Sequence, residues 1–128
     1  MKPFRLALLA LLAFAPLRSQ PDTVVTRRLA LPAGRAVLER QGRAAYGKSY
    51  VWTFHAQKGQ KIEIRLTSTG ERAKFSLNGE KTSLEEAFLV DQWSGPLPNT
   101  DDYNIVIVMN EEKSPAVPYR LRVRRMVP

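Results

Sequence analysis

Few side chains in this sequence are equipped for chemistry. His55 is the one imidazole among 128 residues, and there is no cysteine. A thiol nucleophile, a disulfide framework, a Cys-ligated zinc, an iron–sulfur centre and a multi-His metal cluster within the chain are all excluded. An imidazole with an ordinary pKa of about 6.5 suits general-base work, yet no nucleophile motif stands beside His55, and a surface or sheet-packing histidine is the simpler reading. Three adjacent carboxylate pairs follow: Glu85-Glu86, Asp101-Asp102 and Glu111-Glu112. Glycoside hydrolysis needs two carboxyl groups held about 5 to 9.5 Å apart around a sugar. Neighbouring residues on a strand point to opposite faces, and on turns such pairs are solvated. No segment has the dense oxygen-ligand pattern of a calcium loop. The expectation is a non-enzymatic protein with no catalytic residue, no metal site and no cofactor.

Binding chemistry is better represented. Between Glu80 and Glu112 lie eight carboxylates against the single Lys81, a local net charge of −7 in a chain whose total is +8. Charge segregated in this way steers encounter with oppositely charged partners, unless the two sets pair across strands. Within the acidic segment, Asp91-Gln92-Trp93-Ser94-Gly95-Pro96-Leu97-Pro98 reads as a Pro/Gly-rich loop. Trp93 there is either an aromatic anchor for a partner or an inward-facing residue that closes the end of the fold. The candidate partner-binding set is Asp91, Trp93, Ser94, Asp101, Asp102 and Tyr103. A basic set, with Arg120, Arg122 and Arg124 on one face of a terminal strand, is the alternative. It suits an envelope module that binds anionic glycans or scaffolds another exported protein, or else it is a solvated sheet face; no nucleic-acid recognition motif accompanies it.

The N-terminus bears on location. Lys2 and Arg5 precede the apolar run from Leu6 to Ala15, which Pro16, Leu17, Arg18 and Ser19 interrupt. This is the pattern of a secretory signal peptide, with too few apolar residues for the ~20 that span a bilayer. Residues 1–19 are assigned to it, with cleavage near Ser19 and Gln20, so the mature chain is expected to be periplasmic or secreted and to have no membrane span. Its net charge would be +5, since Lys2, Arg5 and Arg18 leave with the peptide. The remaining length suits one domain.

Elements that would position these residues are strands. Tyr50, Trp52, Phe54 and Ala56 share one face of an alternating run, and Ile62, Ile64 and Leu66 share one face of the next. The Lys58-Gly59-Gln60 turn between them predicts a hairpin. Ala73, Phe75 and Leu77 alternate before the turn signal Asn78-Gly79. The run from Tyr103 to Met109 is apolar on both faces and predicts a core strand covered on both sides. Tyr119, Leu121 and Val123 alternate with the three arginines. Two earlier strands are expected over Thr23–Leu31 and Arg35–Arg40. Ser83-Leu84-Glu85-Glu86 predicts one helical turn with a reciprocal Ser83–Glu86 cap. Seven or eight short strands and no long helical segment predict an all-β fold: a single antiparallel β-sandwich, jelly-roll-like, over residues 34–128, behind a leader and possible first strand over 20–33.

The spacing Tyr50-x-Trp52-x-Phe54-x-Ala56-x-Lys58-Gly59-Gln60-Lys61-Ile62-x-Ile64-x-Leu66, then Gly95-Pro96-Leu97-Pro98-x-Thr100-x-Asp102-Tyr103-x-Ile105-x-Ile107 and Tyr119-x-Leu121-x-Val123, resembles the bacterial pre-peptidase C-terminal domain. It is also similar to the exported inhibitors of invertebrate-type and goose-type lysozymes. The likeness covers residues 34 to 125, and its motifs are mostly structural. Asp101 replaces the usual Gly before Asp-Tyr. The chain leaves no room for the enzyme to which pre-peptidase domains are normally attached, so the resemblance implies the inhibitor arrangement, although no inhibitory loop motif transfers residue by residue. The partner expected is therefore an exported protein such as a lysozyme, or alternatively an envelope glycan, with no nucleic acid.

Overall fold

The computed structural model describes residues 24–34 and 36–126. The expected signal peptide lies outside the described residues. Eight strands follow one another: β1 Val24–Arg28, β2 Val37–Ala44, β3 Ser49–Ala56, β4 Lys61–Ser68, β5 Ala73–Gly79, β6 Gln92–Pro96, β7 Asp101–Met109 and β8 Val117–Arg125. They form two four-stranded sheets, ordered β1-β3-β7-β5 and β2-β8-β4-β6. Every successive strand passes to the opposite sheet. Pairing is antiparallel except at one edge, where β1 runs parallel to β3.

This alternation overturns the predicted hairpin. Lys58-Gly59-Gln60 does turn, with Gly59 at φ +86 and the Gln60 amide bonded to the Gln57 carbonyl at 3.1 Å. Instead of folding β4 back onto β3, however, the turn carries the chain across the sandwich. Two alternating strands joined by a tight turn look the same in sequence whether they pair edge to edge or stack face to face.

The period-2 pattern nevertheless places the core. Trp52, Phe54 and Ala56 of β3, Phe75 and Leu77 of β5, and Tyr103, Ile105, Ile107 and Met109 of β7 are buried from one sheet. Ile62, Ile64 and Leu66 of β4 with Tyr119, Leu121 and Val123 of β8 meet them from the other. The Phe54 and Tyr103 rings stack at 5.7 Å, a favourable aromatic pairing. Trp52 Nε1 donates to the Tyr119 hydroxyl across the two layers at 3.2 Å. Burial pushes the Tyr119 phenol above its ordinary pKa, against the opposing effect of that hydrogen bond. Tyr119 fits because its register partner on β2 is Gly42, where a Cβ would stand 2.6 Å from the hydroxyl.

Two local expectations need correction. β7 is buried on its inward face alone, while Asn104, Val106 and Val108 are half-buried. A two-layer sandwich covers one face of each sheet, so the outward valines are sheltered only by flanking residues such as Val51 and Ser76. The helical turn falls one residue late, as a 3-10 turn over Glu85–Ala87 preceded by Leu84, and no side chain caps it. Ser83 instead bridges to Asn78, which removes it from the capping position.

Candidate protein-binding site

Residues 80–91 connect β5, an edge of one sheet, to β6, an edge of the other, and so close one open side of the sandwich. The connection is pinned along its length. Gly79 and Thr82 exchange backbone hydrogen bonds at 2.9 and 3.4 Å, and the Glu80 amide donates to the Asp102 carbonyl at 3.2 Å. Beyond the 3-10 turn, the Leu89 amide donates to Ser76 Oγ at 3.0 Å, and Val90 and Phe75 exchange two bonds of 2.8 Å. The Asp91 carbonyl then accepts from the Leu66 amide at 2.8 Å.

What this fixed loop presents is apolar. Phe88 is 67% exposed and Leu89 38% exposed, whereas Ala87 beside them is fully buried. Leu89 sits at φ +52, a left-handed conformation that β-carbon-bearing residues rarely adopt. Such backbone strain persists where the surroundings over-determine it, and it concentrates at binding sites. A shallow groove of about 300 Å³ runs beneath Phe88, between Leu77, Leu84 and Ala87.

Charge completes the surface. Of the eight carboxylates in the acidic segment, Asp91 pairs with Lys74 at 3.4 Å, Glu111 with Arg72 at 2.9 Å and Asp102 with His55 at 2.9 Å. Asp101 is 6% exposed and receives hydrogen bonds from the Lys81 amide, the Thr82 hydroxyl and the Asp102 amide, each at 2.8 Å. Desolvation pushes the Asp101 carboxyl up, but these bonds together outweigh it and the net shift is downward. Glu80, Glu85, Glu86 and Glu112 have no ion-pair partner among the described residues. The first three belong to the loop that carries Phe88. An exposed aromatic next to unpaired acids is suited to a partner with an apolar pocket in a cationic setting.

The six residues singled out from sequence do not form one surface. Trp93 lies within β6 rather than on a loop, faces inward opposite Ile64 and is 8% exposed. Tyr103 is fully buried, and its hydroxyl donates to the Asn99 carbonyl at 2.6 Å. Asp101 braces the turn after β5, as described above. That leaves Asp91 and Ser94, exposed on and beside β6, and Asp102, half-buried on β7 in the other sheet. Phe88 was not among the six. Its signal is the run Ala87-Phe88-Leu89-Val90 standing directly after Glu85-Glu86, too short for a helix and out of register with either flanking strand.

Arg120, Arg122 and Arg124 do share the outer face of β8. Each holds a carboxylate: Arg120 and Arg122 lie 3.3 and 3.5 Å from Glu39, and Arg124 lies 2.7 Å from Glu63. His55 and Asp102, brought together by the β3–β7 register, form the pair that sequence reasoning could not find. Among the described residues the side-chain hydrogen bond of His55 is the one with Asp102. The described residues also contain no group of three or more His, Asp or Glu placed to hold a metal, and no helix long and apolar enough to cross a membrane.

Comparison with solved structures places the sandwich. Aeromonas hydrophila PliG, a periplasmic lysozyme inhibitor of g-type lysozyme, matches with a TM-score of 0.66 and 19% identity, over 81% of this chain and 98% of that one. This is the fold of the PliG inhibitors. Salmonella Typhimurium PliG matches at 0.63 with 18% identity, over 80% of this chain and 98% of its own. The pre-peptidase C-terminal domain of a Bacillus anthracis collagenase matches at 0.51 with 14% identity, over 79% of this chain and 94% of that domain. Both resemblances read from the aromatic strand and its glycine turn therefore hold at the level of fold. No family model and no curated protein matches the sequence.

Proposed function

We propose that this is an exported, non-enzymatic binding protein that inhibits a lysozyme-type cell-wall hydrolase by inserting the Phe88 loop into the enzyme's substrate cleft. The observation that carries the reading is Phe88 itself, two-thirds exposed on a strained and hydrogen-bonded loop whose three unpaired glutamates would meet basic residues around the cleft. The partner class is supported by the PliG proteins, which are g-type lysozyme inhibitors and of which almost the whole length is matched. Export is supported by the Lys2-to-Ser19 pattern and by the periplasmic location given for those inhibitors. Inhibition needs no reaction chemistry from the chain. A rigid apolar tip excludes substrate sterically, and a preorganised loop loses little entropy on docking.

The test adds the purified mature chain to goose-type, chicken-type and invertebrate-type lysozymes lysing bacterial cell walls at two salt concentrations. Selective, saturable inhibition of one type that weakens with salt is expected, because exposed charge pairs are screened. Undiminished lysis by all three enzymes would overturn the proposal.

A further inference from the structure

A second surface lies at one end of the sandwich, where the β3–β4 turn meets the end of β8. There a groove of about 530 Å³ is lined by His55, Gln57, Lys58, Lys61, Arg125 and Met126, among others. Its walls are fixed by backbone bonds. The Lys58 amide donates to Thr100 Oγ1 at 2.9 Å, the Gly59 amide to the Leu97 carbonyl at 2.7 Å, and the Met126 amide to the Lys61 carbonyl at 2.9 Å. With those amides committed, the donors left to the groove are side chains.

These side chains are cationic and unopposed. Lys58, Lys61 and Arg125 have no ion-pair partner among the described residues, in contrast to Arg120, Arg122 and Arg124, which each hold a glutamate. Arg125 also keeps its Nε buried with no hydrogen-bond partner, the one side-chain polar atom so placed among the described residues. A buried N–H without an acceptor in the chain is costly, and an ordered water or a bound anion would supply one. The carboxylate of Asp102 is engaged by His55 Nδ1, which leaves the imidazole's Nε2 as a further donor or acceptor.

We infer that this groove is a binding site for a small oligoanion carrying phosphate or carboxylate groups, held by Lys58, Lys61 and Arg125. Arg125 supplies the planar fork that suits both groups, and the two lysines supply point charges, Lys58 from the hydrogen-bonded turn and Lys61 from the first residue of β4. The site is independent of the Phe88 loop and of the inhibitor proposal.

The test measures binding of inorganic pyrophosphate and of citrate to the full mature chain by titration calorimetry, with maltose as the neutral control. Saturable binding of at least one anion, absent for maltose, is expected, and the preferred anion assigns the group recognised. Lys61→Gln and Arg125→Gln should each weaken it at least tenfold with an unchanged circular dichroism spectrum, whereas Arg120→Gln with Arg122→Gln should leave it within twofold. If Arg125→Gln perturbs folding, the Lys58→Gln, Lys61→Gln double variant, altered only at exposed side chains, carries the same test. No binding of either anion at millimolar concentration overturns the inference. So does binding that the groove variants leave intact.

Discussion

Truncating Phe88 to alanine separates binding from folding. A phenylalanine side chain presents about 150 to 250 Å². With Phe88 67% exposed, about 130 Å² remains for a partner to cover, given that side-chain size. At about 25 cal/mol per Å² this amounts to about 3 kcal/mol, an upper figure because the alanine retains its Cβ and no cleft encloses the ring completely. A loss of about 2 kcal/mol is therefore expected, which is about a thirtyfold weaker inhibition constant. Stability should barely move, since the ring contributes little to the interior; a change within about 0.5 kcal/mol corresponds to a thermal midpoint within about 4 °C of the parent. The assay is residual lysis against inhibitor concentration, paired with a thermal melt of each protein. A folded Phe88→Ala variant that inhibits within threefold of the parent would refute the placement of the contact on this loop, whatever the partner.

The other expectations concern charge, packing and pH. Glu85→Gln with Glu86→Gln should slow association with a cationic lysozyme severalfold and flatten its salt dependence, as stopped-flow or surface-binding kinetics at two ionic strengths would register; unchanged kinetics would remove these acids from the interface. Trp93→Ala should behave in the opposite way to Phe88→Ala, costing about 3 to 5 kcal/mol of folding stability and lowering the melting midpoint by more than about 10 °C. A Trp93→Ala variant that melts like the parent would contradict the inward packing. Gly42→Ala should cost about 1 to 3 kcal/mol by displacing the Tyr119 ring from the Trp52 indole, seen as a lowered denaturation midpoint and altered tryptophan fluorescence. Because the folded-state pKa of Asp101 is held below its ordinary value, its stabilising effect is present above that value and lost as pH falls through the folded one. Melts recorded below about pH 4 should therefore show a steeper loss of stability in the parent than in Asp101→Asn, and parallel curves would rule out the carboxylate as the cause.

The alternation of apolar and polar residues was enough to determine which side chains face inward. Trp52, Phe54, Ile62, Ile64, Phe75, Leu77 and Leu121 are all buried where a period of two puts them, because a strand's geometry leaves no other choice once one face is covered. All-β class, strand number and the two-layer arrangement follow from that pattern and from the spacing of the turns. Which strand pairs with which does not follow. Hairpin and crossover connections share the same local signals, so the passage of every strand to the opposite sheet is decided by how the two apolar faces fit together. His55 and Asp102 meet only because β3 and β7 lie side by side in one register. Arg120, Arg122 and Arg124 share a face by local geometry, but the glutamates that occupy them come from β2 and β4. Most consequential is the exchange of roles within the acidic segment. Trp93, which sequence places on a loop, is drawn into β6 and the interior by pairing with β4. Phe88, apolar itself and followed by Leu89 and Val90, is left outside because its loop must span the gap between two sheet edges. Local pattern fixes the direction of a side chain within a strand, whereas the exposure of a residue between strands depends on the path that the assembled sheets leave open.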